Sequence, residues 1–293
     1  MKTFKKVYIE LSDYCGLQCH FCPQSLRKSQ RGVMELAMFE RICSQLVGRC
    51  ERISLHILGD PLALRNIESY IEIIKHYRLK VDLVTTGLFL REKHFDMLLN
   101  TPFVQVAFSL SAFLANSQLL RLEHLERILD LCDENLKRNC PIFINLRIQT
   151  NDIKCHSLYL SEILESIATH FRQSFPSPLT QRIKLAQKIF LNPMRSFEWV
   201  NHRLSPQFTE SNASHICYGA SKQIGILSDG RLVPCCIDYE GKASFGSLVE
   251  QNLEDILQQQ HFKDFSHQLL KGIPPCQLCQ ECTYPQNHRI NIK

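Results

Sequence analysis

From Val7 to about Leu191, short β-rich apolar runs alternate with segments whose apolar residues recur at spacings of three and four. The runs Val7–Leu11, Arg52–Leu58, Lys80–Val84, Val104–Leu110, Ile142–Ile148 and Ile183–Phe190 predict strands. Between them Leu36–Leu46, Ile67–Tyr77, Lys93–Leu99, His124–Leu136 and Leu158–His170 carry the helical period. Strand followed by helix, repeated, implies βα units on a parallel sheet. Six predicted strands are too few to close an eightfold barrel.

The pattern dissolves around Ser196–Ser211, a polar stretch containing Pro206, which is read as a boundary. Beyond it, Gln223–Leu227 and Arg231–Val233 flank Asp229-Gly230, a strong hairpin signal. One amphipathic helix is expected from Leu253 to about Leu270, stopped by Gly272. The organisation predicted is residues 1–200 as one domain and 201–293 as a second, too small to hold much core unless it docks or is stapled by metal.

A chain of 293 residues with 44% hydrophobic and 22% charged residues has enough apolar side chain for a real core, which excludes disorder as the starting assumption. The opening residues show no apolar h-region and no later run is long enough without charge to span a bilayer, so a cytoplasmic protein without a membrane partner is expected. In that reducing setting fourteen cysteines are better explained as ligands than as disulfides. The net charge of +5 is spread along the chain apart from Arg27, Lys28 and Arg31 in one loop; an RNA partner is permitted but not indicated.

Cys15-Gly-Leu-Gln-Cys19-His-Phe-Cys22 places three thiols in one loop directly after the first predicted strand. A structural zinc site and a fully ligated four-iron cube each want four protein ligands. Three thiolates on such a cube leave one iron open to chelation by an amine and a carboxylate. The competing reading is a buried or zinc-binding cysteine loop.

This arrangement, Cys-x3-Cys-x-aromatic-Cys after a first strand, resembles the radical S-adenosylmethionine (radical SAM) superfamily. The resemblance implies a partial (β/α)6 TIM-like barrel with a catalytic [4Fe-4S] cluster on Cys15, Cys19 and Cys22 and S-adenosylmethionine as the other cofactor. Leu58-Gly59-Asp60-Pro61 is similar to the superfamily's Gly-Gly-Glu-Pro loop, with Asp for Glu and Leu for the first Gly. Thr86 and Gly87 after the third strand, Ser109 and Ser111 at the end of the fourth, and Arg147 late on the fifth stand where the family places cofactor contacts. Phe21 would neighbour the adenine. The cofactor-binding candidates are therefore Phe21, Gly59, Asp60, Thr86, Ser109 and Arg147. Each also has an ordinary reading: a strand exit, a turn cap, a surface charge or simple packing. What favours the functional one is that the cysteine loop, Gly59-Asp60-Pro61, Thr86-Gly87 and Ser109 all come at strand ends, and so gather on the face where βα barrels build their sites.

The second constellation is Cys217, the pair Cys235-Cys236, and Cys276, Cys279 and Cys282 in overlapping CxxC units. From spacing alone a zinc ribbon competes. Asp229-Gly230-x-x-x-Pro-Cys235-Cys236, Phe245-Gly246-x-Leu, a helix and a closing CxxC resemble the SPASM or twitch extension, a small α+β domain carrying auxiliary iron–sulfur clusters. Six thiols suit one second [4Fe-4S] cluster, with Cys217, Cys235, Cys279 and Cys282 as expected ligands and Cys236 and Cys276 as alternatives. Cys43, Cys50, Cys132, Cys140 and Cys155 lack close spacing and are expected to be core or inert thiols. Trp199, the only tryptophan, is expected to staple the two parts or to line a pocket.

The resemblance implies reductive cleavage of S-adenosylmethionine, hydrogen abstraction from a peptide or small-molecule substrate by the resulting radical, and an auxiliary cluster that relays electrons. It also implies an electron donor of flavodoxin or ferredoxin type. Two other classes stay open: a radical SAM enzyme modifying RNA, and a non-catalytic iron–sulfur or zinc protein.

Overall fold

A computed structural model describes residues 3–27, 30–149, 158–194, 199–200 and 216–284. It opens with β1 (Lys6–Ile9), α1 (Leu36–Leu46), β2 (Ile53–Ser54), α2 (Ile67–His76), β3 (Val81–Thr85), α3 (Phe95–Leu98), β4 (Phe103–Ser109), α4 (Ser111–Ala115), α5 (Leu122–Lys137), β5 (Phe143–Gln149) and α6 (Leu158–Phe171). It continues with β6 (Ile183–Ala186), β7 (Ile189–Met194), β8 (Gln223–Ile226), β9 (Arg231–Val233), β10 (Gly246–Ser247), α7 (Leu253–Gln258), α8 (Gln260–Leu270) and α9 (Gln277–Glu281).

All these strands form one sheet in the order β10-β9-β8-β1-β2-β3-β4-β5-β7-β6. From β8 through β1 to β7 every pairing is parallel, and the two margins turn antiparallel. The expected alternation of strand and helix is therefore present, and the barrel strands β1 to β5 with β7 form an open, parallel arc. The helices cover its outside through one apolar stripe each: on α1 the buried residues Phe39, Ile42, Cys43 and Leu46 lie at helical spacing. Cys43 and Cys132 are fully buried in such stripes, as expected of core thiols, and Cys50 and Cys140 pack half-buried against the same core. Cys155 lies outside the described residues, as does most of the predicted boundary at 196–211.

Four expectations change. The predicted strand Ile183–Phe190 is a hairpin, β6 and β7, folded at Gln187-Lys188, where Lys188 takes φ +61. Only β7 joins the parallel arc, beside β5. The second strand pairs over two residues only, and Leu55–Leu58 continues as loop toward the site. The single helix expected over Leu253–Leu270 breaks at Gln259, whose ψ is 140°. That bend turns Leu253, Ile256 and Leu257 of α7 and Phe262, Phe265 and Leu269 of α8 onto one core, with Phe245 wedged edge-on against Phe262 and Phe265 at 4.8 and 5.0 Å. The fourth is a pair of short helices the periodicity did not mark. These are α4, which begins at Ser111, and α9, which carries Cys279.

The C-terminal part docks by backbone pairing. β8 adds to β1 in parallel, Val7 opposite Ile224 and Ile9 opposite Ile226, so the hairpin is continuous with the barrel sheet.

Candidate active site

The chain leaves β1 into Glu10–Asp13 and then the cysteine loop. Glu10 is fully buried and accepts from Arg31 Nε at 2.9 Å and Nη2 at 2.6 Å, from the Leu58 amide at 3.2 Å and from the Ser228 hydroxyl at 3.2 Å. Asp13 accepts from Arg27 Nη1 at 2.5 Å and from the amides of Arg31 and Gly32 at 2.6 and 3.2 Å. Burial alone would raise the Asp13 carboxyl, but those amides and the guanidinium outweigh it and hold it below its ordinary value. Arg27 and Arg31 are thus bound to buried carboxylates inside the protein. Their charges are matched within the protein; Lys28 lies outside the described residues.

Cys15 is buried and Cys19 and Cys22 are half-buried, with the Cys22 amide donating to the Cys19 carbonyl at 2.9 Å to close the turn. Burial pushes all three thiols up, Cys19 to about 12, and each neighbouring charge adds to the effect. Such thiols ionise only beside strong positive charge, which the irons of a cluster supply. The Leu17 and Gln24 amides offset part of the rise at Cys15 and Cys22, and Asn116 Nδ2 donates to Cys19 at 3.1 Å. Three thiols in one loop fit a cluster held by three cysteines. Among the described residues no three His, Cys, Asp or Glu side chains close on a single ion. A cube asks for less convergence, because each thiolate takes its own iron.

The loop after β2 packs against the cysteine loop. Gly59 takes φ +77, and a Cβ there would stand 2.1 Å from the Ser12 carbonyl oxygen, so only glycine fits. The neighbouring Asp60 amide donates to the Tyr14 carbonyl at 2.9 Å. The Asp60 carboxylate, 1% exposed, accepts from the hydroxyls of Thr85 and Thr86 at 2.8 and 2.7 Å and from the amides of Thr86 and Leu62 at 2.8 and 3.0 Å. Asp60 and Thr86 therefore brace two strand-end loops against each other. Phe21 is half-buried with its ring edge-on to His20 at 5.3 Å.

Ser109 and Arg147 stand opposite each other in the β4–β5 register and face a cavity of about 600 Å3 inside the arc. Tyr8, Asn145, Arg147 and Asn192 from the strands line it, together with His56 from the loop after β2 and Trp199, Cys236 and Tyr284. The sequence reading did not single out Tyr8, His56 or Tyr284. Its missed signal is the alternation Ile144-Asn-Leu146-Arg-Ile148-Gln on β5. A strand buried on both faces reads as continuously apolar, whereas alternation marks one face turned to a polar interior. Arg147 Nε lies 2.9 Å from Met194 Sδ, and among the described residues it forms no ion pair with a carboxylate. Burial lowers its affinity for the proton. Burial, with Arg147 and Lys6 adding to it, brings His56 down to about 3, so the imidazole is neutral. Trp199 meets Tyr239 edge-on at 5.4 Å while also lining the cavity, and so performs both expected roles.

Behind the cavity wall lie the C-terminal thiols. Cys235 is raised by burial and by the neighbouring sulfurs of Cys236, Cys217 and Cys282. Cys279 feels Cys276, Cys235 and Cys217, and Cys282 feels Cys217 and Cys236. Cys217, Cys235, Cys236, Cys279 and Cys282 thus share one neighbourhood. Cys236 also lines the barrel cavity, where it bonds the Tyr8 hydroxyl. Cys276 lies 3.7 Å from Cys279; the bond between them holds Cys276 down to about 6 and Cys279 up.

Residues 9–152 match the Radical SAM superfamily, and residues 217–283 match SPASM, an iron–sulfur cluster-binding domain. The chain belongs to the radical SAM superfamily and carries a SPASM domain. As a radical SAM enzyme it uses S-adenosylmethionine with a [4Fe-4S] cluster, and its SPASM domain binds further iron–sulfur. The C-terminal thiols thus belong to an iron–sulfur domain rather than a zinc ribbon. The chain is 30% identical over 102 residues to the S-adenosyl-L-methionine-dependent 2-deoxy-scyllo-inosamine dehydrogenase of Niallia circulans, a match spanning 33% of this chain and 41% of that protein. It is 24% identical over 282 residues to the GTP 3',8-cyclase of a Synechocystis species, covering 86% of this chain and 85% of that one. Among solved structures, BtrN in an open conformation superposes with a TM-score of 0.56 at 19% identity, over 96% of this chain and 92% of that one. Streptococcus suis SuiB bound to S-adenosylmethionine gives 0.60 at 16%, over 96% and 72%. Native anSMEcpe with bound AdoMet gives 0.60 at 15%, over 94% and 87%. SuiB and anSMEcpe have also been solved with peptides bound. Among the described residues no helix is long and apolar enough to cross a membrane.

Proposed function

We propose that this enzyme oxidises a small, polar, hydroxyl-bearing molecule inside the barrel cavity. The observation that carries the reading is the position of the cavity: it is enclosed by strand-interior polar side chains and walled by Cys236, whose chain neighbour Cys235 faces the auxiliary thiols. Cys15, Cys19 and Cys22 hold the catalytic cluster, and Cys217, Cys235, Cys279 and Cys282 hold the auxiliary one. The bound cofactors supply a 5′-deoxyadenosyl radical at the strand ends and an electron acceptor behind the wall.

The chain's own side chains do the rest. Asn145 and Asn192 offer amides to hydroxyl groups, and Arg147 offers a guanidinium not claimed by any described carboxylate. Trp199 and Tyr284 add aromatic walls to the cavity. The backbone corner at Gly59 and the Ser109 hydroxyl orient the cofactor. Oxidation of a substrate carbinol would then balance as one hydrogen atom to the 5′-deoxyadenosyl radical, giving 5′-deoxyadenosine, one electron to the auxiliary site and one proton to solvent. The similarity to a dehydrogenase acting on an inosamine points the same way. Reduction of the catalytic cluster is assigned to a small flavodoxin- or ferredoxin-type donor.

The test is anaerobic reconstitution with iron and sulfide, then dithionite and S-adenosylmethionine. About eight irons per chain and formation of 5′-deoxyadenosine are expected for two four-iron clusters. Carbon-deuterated aminocyclitols and sugars should pass deuterium into 5′-deoxyadenosine. Transfer from a peptide panel, and none from small molecules, would overturn the substrate reading.

A further inference from the structure

Asn116 closes the short helix α4 and lies 97 residues from Cys19, yet its Nδ2 stands 3.1 Å from that sulfur. The orientation of its amide is fixed from three sides. Oδ1 accepts from the Gln18 amide at 3.1 Å, which only the oxygen can do. Nδ2 therefore faces Cys19, and also donates to the Ala112 carbonyl at 3.0 Å. A planar amide with both ends engaged has no freedom to flip.

The comparison with the other two sulfurs gives this contact its meaning. Cys15 and Cys22 have the loop's own backbone beside them, at Leu17 and Gln24. Cys19 takes its donor from a side chain at the C-terminal end of α4. A hydrogen bond to a cluster sulfur stabilises the more negatively charged, reduced state and so raises the reduction potential.

We infer that Asn116 is a positioning and tuning residue for the catalytic cluster: it fixes the cysteine loop through Gln18 and makes the cluster easier to reduce through Cys19. This rests on the proposal that Cys15, Cys19 and Cys22 hold that cluster. The helix that carries Asn116 follows β4, the strand that presents Ser109 to the cavity.

The experiment is a spectroscopically monitored redox titration of the reconstituted holoenzyme, reading the electron paramagnetic signal that changes on addition of S-adenosylmethionine. Asn116→Ala should lower the reduced-to-oxidised ratio at a fixed poise about tenfold, which is 59 mV for a one-electron couple. Asn116→Asp, which keeps the acceptor for Gln18 and loses the donors, should shift the same way and further. The auxiliary cluster's potential should not move, as it would in a generally disturbed fold. Either variant titrating with the wild type would overturn the inference. Should both variants lose iron, wild-type protein labelled with 15N-asparagine decides it. A nitrogen coupling to the reduced cluster is expected, and its absence overturns the proposal. A SAM-responsive signal surviving in Cys19→Ala would instead overturn the ligand assignment beneath it.

Discussion

Arg31 holds Glu10 through both Nε and Nη2, at 2.9 and 2.6 Å, with the arginine side chain 8% exposed and the carboxylate not at all. The same carboxylate takes the Leu58 amide and the Ser228 hydroxyl, so one buried charge ties the cysteine loop's return, the β2 loop and the C-terminal hairpin. Its worth lies in what is lost when one half goes. Arg31→Met leaves Glu10 in the interior without its guanidinium partner, and chemical denaturation should register a loss of about 3–5 kcal/mol. The double variant Glu10→Gln with Arg31→Met removes the stranded charge and should recover a good part of that loss. Equal losses in single and double variants would show that packing, not charge, carries the junction.

Gly59 offers a sharper test of the loop corner. Alanine there meets a left-handed backbone, worth about 1–3 kcal/mol of strain, and a carbonyl oxygen at 2.1 Å that belongs to main chain and cannot swing aside. Gly59→Ala should therefore push the β2 loop away from the cysteine loop. Binding of S-adenosylmethionine, followed by calorimetry, is expected to weaken at least tenfold while far-ultraviolet dichroism stays that of the folded protein. Unchanged affinity would mean that the cofactor does not use this corner.

His56 makes a prediction about pH. Its folded value lies near 3 because the site is buried and faces Arg147 and Lys6, whereas an unfolded histidine titrates near 6.5. A depressed folded value means that below about 6.5 the unfolded chain binds a proton the folded one refuses. Its contribution is therefore fully present above that pH and erodes as pH falls toward 3, by about 1.4 kcal/mol per unit at most. Denaturant titrations between pH 7 and 5 should show His56→Gln losing less stability than wild type across that window. Parallel curves would place a charged or solvent-reached imidazole in the cavity.

Much of this was legible before any coordinates. The period of the apolar residues located α1 at Leu36–Leu46 to the residue, and Cys15, Cys19 and Cys22 stand directly after β1 as their spacing required. What the pattern hid has physical causes. A turn at Gln187-Lys188 between two apolar runs looks like one long strand until a left-handed Lys188 folds it. Gln259 sits inside an unbroken helical period, and only the need to seat both Leu257 and Phe262 on the Phe245 core breaks it. Asp60 and Thr86 appear in sequence as separate ligand candidates, because mutual hydrogen bonding between strand-end loops leaves no trace in spacing. Asn116, remote from every cysteine along the chain, carries no local signal at all.

The doubled cysteine decides how the auxiliary site is assembled. Cys235 and Cys236 are adjacent and both lie near Cys282, yet only Cys235 also neighbours Cys217, whereas Cys236 bonds Tyr8 inside the barrel. Cys276 and Cys279 pose the same choice, since only Cys279 also feels Cys235 and Cys217. If the set is Cys217, Cys235, Cys279 and Cys282, then Cys235→Ala and Cys279→Ser should each bind about four irons fewer than wild type. Cys236→Ala and Cys276→Ser should keep the full complement. Production of 5′-deoxyadenosine should survive in Cys235→Ala, because the catalytic loop draws its ligands and its Glu10–Arg31 brace from the N-terminal domain. Iron lost from Cys236→Ala and retained in Cys235→Ala would reverse the assignment, bringing the cluster to the cavity wall and into the reach of Tyr8.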